Sequence, residues 1–267
     1  MSLIVFCSQK GSPGTSLTAL AVAGAWPVRE DRRRVLVEAD PAGGVIAMRY
    51  GMSREPGLLT LATSLRHGVD GADILEHAQP LPGGLMTIVS PERPGVIEAL
   101  ISTAGPVLGQ ALSGVQDLDV IVDIGRLTAS APTRSLLSFA DAVFMVARPT
   151  PEQIIPGEEQ LRQIANGRWC LIGERPYPPS EIVDKFGIPA QLIADDPRGA
   201  QALEAGGYPK RVKRSALVRS ARDLGEQLDR MVNPGSLKAS RPSIHEPEPA
   251  PTGLPSYPLF APTGNDQ

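Results

Sequence analysis

Short apolar runs, separated by longer segments of mixed character, organise most of this chain. Runs at 3–8, 35–38, 86–89, 120–123, 142–146, 169–172 and 190–193 are rich in Val, Ile, Leu and Ala. Their length and composition predict strands. Residues 16–25, 152–164 and 215–231 read as helices. In the last of these, Leu217, Leu224, Leu228 and Met231 recur at helical spacing. Strands alternating with helices predict an α/β fold: a doubly wound, mostly parallel sheet with helices on both faces. Open sheets of this kind bind ligands at the carboxyl ends of their strands.

The pattern stops near Met231. Asn233-Pro234-Gly235 ends the last helix, and the remainder is rich in Pro, Ser and Ala. Such a segment buries too little apolar surface to fold alone. The expected organisation is therefore one domain over 1–232 and a disordered tail over 233–267. Tyr257-Pro258-Leu259-Phe260 is an apolar island in that tail. It reads as a chance cluster, with a short docking peptide as the alternative. There is no internal repeat.

Composition narrows the class. A length of 267 residues suits one large α/β domain plus a tail. Hydrophobic residues make up 42% and aromatics only 4%, so the core must be aliphatic. A net charge of −3 argues against a protein that coats nucleic acid constitutively. Cys7 and Cys170 each lie in an apolar run, without Cys-x-x-Cys spacing. Buried thiols are expected, and neither a zinc site nor an iron–sulfur cluster is indicated. No apolar run approaches a membrane span, and the first strand begins without a basic segment before it. A soluble, cytoplasmic protein is the expectation.

The chemistry concentrates in Lys10-Gly11-Ser12-Pro13-Gly14-Thr15-Ser16, between the first strand and the first helix. Gly11 and Gly14 let the backbone approach an anion, and exposed amides and the helix dipole attract its charge. Ser16 stands where a hydroxyl can reach magnesium. The lysine usual before that hydroxyl is replaced by Thr15. Further along, Val35-Leu36-Val37-Glu38-Ala39-Asp40-Pro41 ends a strand in Asp-Pro, and Asp119-Val120-Ile121-Val122-Asp123 ends another in a carboxylate. Ala140-Asp141-Ala142-Val143-Phe144-Met145-Val146 is followed by Pro149.

In this order, these stations resemble the ParA/MinD family of P-loop ATPases, whose deviant Walker A motif is Lys-Gly-Gly-x-Gly-Lys-Thr/Ser. The resemblance runs from about Leu3 to Met231. It keeps the first lysine, loses the second, and has Ser12 in place of the second glycine. It implies an ATP- or ADP-binding site with magnesium. Lys10, Gly11, Ser12, Pro13, Gly14, Thr15, Ser16 and Leu17 would hold nucleotide, and Ser16 and Asp123 would hold the metal. Lys10 would reach across a homodimer interface to the partner's nucleotide, and Asp40 would position the attacking water. Glu38 stands where relatives often have Asp; read from its own position, it is a salt-bridged structural acid. Gly173, in Trp169-Cys170-Leu171-Ile172-Gly173-Glu174, stands near the Asn that relatives use to read adenine.

The missing charge at Thr15 removes a charge-assisted hydrogen bond of roughly 1.5–3 kcal/mol, which weakens binding about 10- to 100-fold. Transition-state stabilisation suffers more. Nucleotide binding is thus safer to expect than hydrolysis.

The resemblance implies a nucleotide-dependent dimerisation switch that positions DNA or a macromolecular assembly with a protein partner. The alternative is a pseudo-ATPase scaffold or localisation factor like those of Tad-pilus and type II-like secretion systems. Many of those carry an N-terminal receiver-like domain, for which this chain has no room before Lys10. A metabolic enzyme of a neighbouring P-loop family is a third reading, for which no second catalytic constellation is visible. Lys210, Arg211, Lys213, Arg214, Arg219 and Arg222 form a basic cluster that reads first as a solvated face and second as a non-specific DNA contact. Arg29, Arg32, Arg33 and Arg34 read as solvated. The proline-rich tail, unlike MinD's amphipathic terminal helix, argues against direct membrane insertion.

Overall fold

The computed structural model describes residues 2–10, 13–66, 71–206 and 212–232. In chain order it runs β1 (Ser2–Ser8), α1 (Thr15–Ala25), β2 (Arg33–Glu38), α2 (Ile46–Tyr50), α3 (Leu58–Arg66), β3 (Gln79–Pro80) and β4 (Met86–Ile88). There follow α4 (Pro94–Gly114), β5 (Leu118–Arg126), α5 (Arg134–Leu137), β6 (Ala142–Ala147), α6 (Pro151–Leu161) and β7 (Gly167–Ile172). The last elements are α7 (Pro179–Phe186), β8 (Ala190–Ile193), α8 (Pro197–Glu204) and α9 (Ala216–Val232). The tail predicted over 233–267 lies outside the described residues.

The sheet order is β3-β4-β2-β5-β1-β6-β7-β8. All neighbours pair in parallel except β3 with β4. Two-residue periodicity along the central strand feeds two cores. Leu3, Val5 and Cys7 of β1 enter one, with Ile97, Ile101 and Leu108 of α4. Ile4 and Phe6 enter the other, with Leu20 of α1 and Leu217 and Leu224 of α9. Phe6 stacks on Phe144 at a ring separation of 5.3 Å. The doubly wound α/β class predicted from the sequence is the architecture found.

All seven predicted strands are present. The eighth, β3, is too short to leave a periodic signal. β5 runs past its predicted end at Asp123, because parallel pairing continues to Ser8↔Arg126 and Leu127 N–H donates to the Ser8 carbonyl at 2.7 Å. Met231 is not part of the apolar stripe of α9: it is 47% exposed, while Val218 and Ala221 complete the buried face. Cys7 and Cys170 are free and buried, as expected, and burial drives the Cys7 thiol up to about 12.

Two expectations need correction. Among the described residues, α4 is long and apolar enough to cross a membrane by length and composition, with a mean hydropathy of 1.3. Here it lies along the sheet, with Ile97, Leu100, Ile101, Ala104, Leu108 and Leu112 buried. Its pattern was hidden because small residues and Pro106 interrupt the apolar run. The arginines before β2 are also not uniformly solvated. Arg29 pairs with Asp229 of α9 and Arg32 with Asp119, both carboxylates being buried. Arg34 donates to the Trp26 carbonyl at 2.5 Å, and only Arg33 is exposed. Asp119 also accepts from Ser2 Oγ at 2.6 Å and Trp26 Nε1 at 3.1 Å. A charge buried this deeply requires such partners.

Candidate nucleotide site

The registers Phe6↔Asp123 and Glu38↔Asp123 bring the carboxyl ends of β1, β2 and β5 side by side. The loops leaving these strands enclose a cleft of about 510 Å³. It is lined by Ser8, Gly14, Thr15, Ser16, Leu17, Asp40, Ala42, Val45, Arg49, Gly125, Arg126 and Glu204. Residues 14–17, Asp40 and the end of β5 at Gly125 and Arg126 thus meet in one place, while Lys10 and Asp123 do not line it.

Gly14 is the N-cap of α1 and sits in left-handed geometry at φ +103°. A side chain there would be strained, so glycine sets the turn into the helix. No side chain among the described residues caps this helix start. Thr15, Ser16 and Leu17, whose amides open the first turn, line the cleft. Pro13 is buried. Gly11 and Ser12 lie outside the described residues. Thr15 is buried, and its hydroxyl has no hydrogen-bond partner among the described residues.

Asp123 is 1% exposed. Its Oδ1 accepts the Gly125 amide at 3.0 Å, whereas Oδ2 accepts no hydrogen bond among the described residues. Burial pushes its carboxyl up to about 6, against the opposing pull of the nearby Ser16 hydroxyl and the Gly125 amide. A buried carboxylate oxygen without a partner, beside a serine at an open helix start, fits a magnesium ion held through water. No group of three or more His, Cys, Asp or Glu side chains is arranged for a metal among the described residues.

Asp40 Oδ1 accepts the Ala42 amide at 2.8 Å. Its carboxyl packs against Gly125, at φ +61°, where an added Cβ would stand 2.0 Å from Cγ. Glycine at 125 is thus required twice over, by conformation and by contact. Burial raises the Asp40 pKa, with the Ala42 amide and Arg126 acting against it.

Glu38 is structural, but among the described residues it forms no salt bridge. Oε1 accepts the amides of Val45 at 2.6 Å and Ile46 at 3.0 Å, and Oε2 accepts that of Ser90 at 3.0 Å. These bonds fix the Asp40–Val45 loop to the end of β4. Burial lifts its carboxyl to about 7 although the three amides pull the other way.

Lys10 is exposed and does not line the cleft. Its charge acts weakly on Glu152 at the start of α6, whose carboxyl is held low first by its own backbone amide and by Thr150. At the predicted base position, Gly173 has φ +80°, and an added Cβ would stand 3.3 Å from the Cβ of Asp195, which pairs with Arg148 at 2.8 Å. Lys213, Arg214, Arg219 and Arg222 are exposed; Lys210 and Arg211 lie outside the described residues. Sequence reasoning missed Arg49, Arg126 and Glu204. Arg126 was legible as a cation placed just beyond the Asp123 strand, whereas Arg49 and Glu204 meet only through tertiary structure, at 3.3 Å.

No known family model matches the sequence, and no curated protein matches it on sequence alone. Solved structures do match the fold. A ParA family ATPase from Chlorobium tepidum TLS superposes with a TM-score of 0.72 at 20% identity, covering 85% of this chain and 98% of its own. The septum site-determining protein MinD from Pyrococcus horikoshii OT3, in complex with Mg-ADP, gives 0.67 at 17% identity, covering 88% and 99%. Cobyrinic acid a,c-diamide synthase from Mycobacterium smegmatis, with an ATP analogue and magnesium, gives 0.59 at 20% identity, covering 88% and 96%. The fold is that of the ParA/MinD-like P-loop NTPases.

Proposed function

We propose that this chain binds magnesium–ATP or –ADP in the cleft at the ends of β1, β2 and β5, and acts as a ParA/MinD-like dimerisation switch. One observation carries the reading. The start of α1 and Ser16 line the cleft together with Asp40, and the buried Asp123, whose Oδ2 has no hydrogen-bond partner among the described residues, lies beside Ser16. Backbone amides of α1 would hold phosphate, while Ser16 and Asp123 would hold magnesium, which neutralises phosphate charge when bound. Asp40 would orient a water, and Lys10, exposed outside the cleft, would reach a partner's nucleotide. The MinD relative is complexed with Mg-ADP, in keeping with this assignment. Positioning of DNA or an assembly, through a protein partner, is the biological role that such a switch supports.

A second reading is favoured by Thr15. Without the inner lysine, the cleft can hold nucleotide and turn it over poorly, which describes a pseudo-ATPase scaffold. Calorimetric titration with magnesium and ATP or ADP tests both readings. Weak binding is expected, and absence of binding at millimolar nucleotide would remove the switch. Binding with no turnover would favour the scaffold.

A further inference from the structure

Thr15 leaves the phosphate-facing end of α1 without a charged side chain, yet the cleft it opens on holds two arginines. They differ in one respect. Arg49 is paired with Glu204 at 3.3 Å, so its charge is already partly balanced. Arg126 has no salt bridge among the described residues, and it is exposed at the cleft.

The position of Arg126 is fixed by the sheet. It is the last residue of β5 and pairs with Ser8 at the end of β1 after a register shift between Phe6 and Ser8, and Leu127 N–H closes the ladder on the Ser8 carbonyl. Ser8 itself lines the cleft. The Arg126 backbone is therefore held between the two strands that carry the loop and Asp123. Its guanidinium lies close enough to Asp40 to favour the ionised carboxylate. A planar, permanently charged fork suits polyphosphate oxygens better than a point charge does.

We infer that Arg126 is the phosphate-binding cation of this cleft and takes over the charge that Thr15 does not supply. The inference rests on the nucleotide-site reading above, and its ligand is a nucleoside di- or triphosphate with magnesium. Thr15, whose buried hydroxyl has no partner among the described residues, lines the same cleft as a neutral donor. Charge thus enters from the β5 side of the phosphates and not from the first turn of α1. Lys10 does not fill this role within one subunit, since it lies outside the cleft lining.

The test is calorimetric titration of the full chain with Mg-ADP and Mg-ATP. Arg126→Gln should weaken both by about 10- to 100-fold, the scale set by one charge-assisted hydrogen bond. Its melting temperature without nucleotide should match the wild type, because the side chain is exposed. Arg126→Lys should bind more tightly than Arg126→Gln and less tightly than the wild type, since it keeps the charge and loses the fork. Thr15→Lys placed in the Arg126→Gln background should restore affinity, since the charge then returns from the α1 side. Wild-type binding with unchanged affinity in Arg126→Gln overturns this inference and leaves the nucleotide site standing. A wild type that binds no nucleotide overturns both.

Discussion

At the scale of single residues, the site combines retained geometry with one lost charge. Gly14 shapes the turn into α1, and Asp123 Oδ2 has no hydrogen-bond partner among the described residues. In the proposed site, Thr15 supplies a hydroxyl where the resembled motif has a lysine. Thr15→Lys should raise nucleotide affinity by about 10- to 100-fold, measured by titration calorimetry. Unchanged affinity would mean that the loop does not present its amides to phosphate. Asp123→Asn should abolish the magnesium dependence of binding while leaving weak, metal-free binding through the amides. It also replaces a buried charge by a neutral isostere, so the variant without nucleotide should melt no lower than the wild type at neutral pH. A lower melting temperature would show that the carboxylate supports the fold and is not reserved for a ligand.

At the scale of elements, β1, β2 and β5 were legible because apolar runs ending in a carboxylate or a Gly-rich loop have no other common use. The Gly14 turn and the Asp40 and Asp123 stations could be read directly. Arg49, Glu204 and the packing of Asp40 on Gly125 could not, since they join residues far apart in sequence. The role of Glu38 was half legible: a buried acid was evident, but its partners are backbone amides, which carry no sequence signature.

That clasp has a pH consequence. Burial raises Glu38 from 4.5 to about 7, so between those values the folded chain binds more protons than the unfolded chain. Stability contributed by this group is complete below about pH 4.5 and is lost as pH rises towards 7. Denaturant midpoints measured at pH 5 and pH 7.5 should fall with rising pH. Glu38→Gln should flatten that slope and lower stability by about 1–3 kcal/mol, because its amide nitrogen cannot accept a backbone N–H. A slope unchanged by the substitution would assign the pH response elsewhere.

At the scale of the whole molecule, association is the step that would turn binding into a signal. Nucleotide should shift the chain from monomer to dimer, as read by light scattering. Lys10→Ala should abolish the shift, and Asp40→Ala should preserve or prolong the dimer by slowing hydrolysis. An oligomer indifferent to nucleotide and to Lys10→Ala would favour the scaffold. The sheet's margins bear on which of these can happen. One margin is β3, two residues long, antiparallel and carrying Pro80, which has no amide hydrogen to offer. A neighbouring molecule arriving there finds almost no ladder to extend, so stacking sheet onto sheet through that side is closed off. On that side, association is left to surfaces shaped by loops, where a small ligand can create or erase a fit, and a contact made that way can come apart again when the ligand changes.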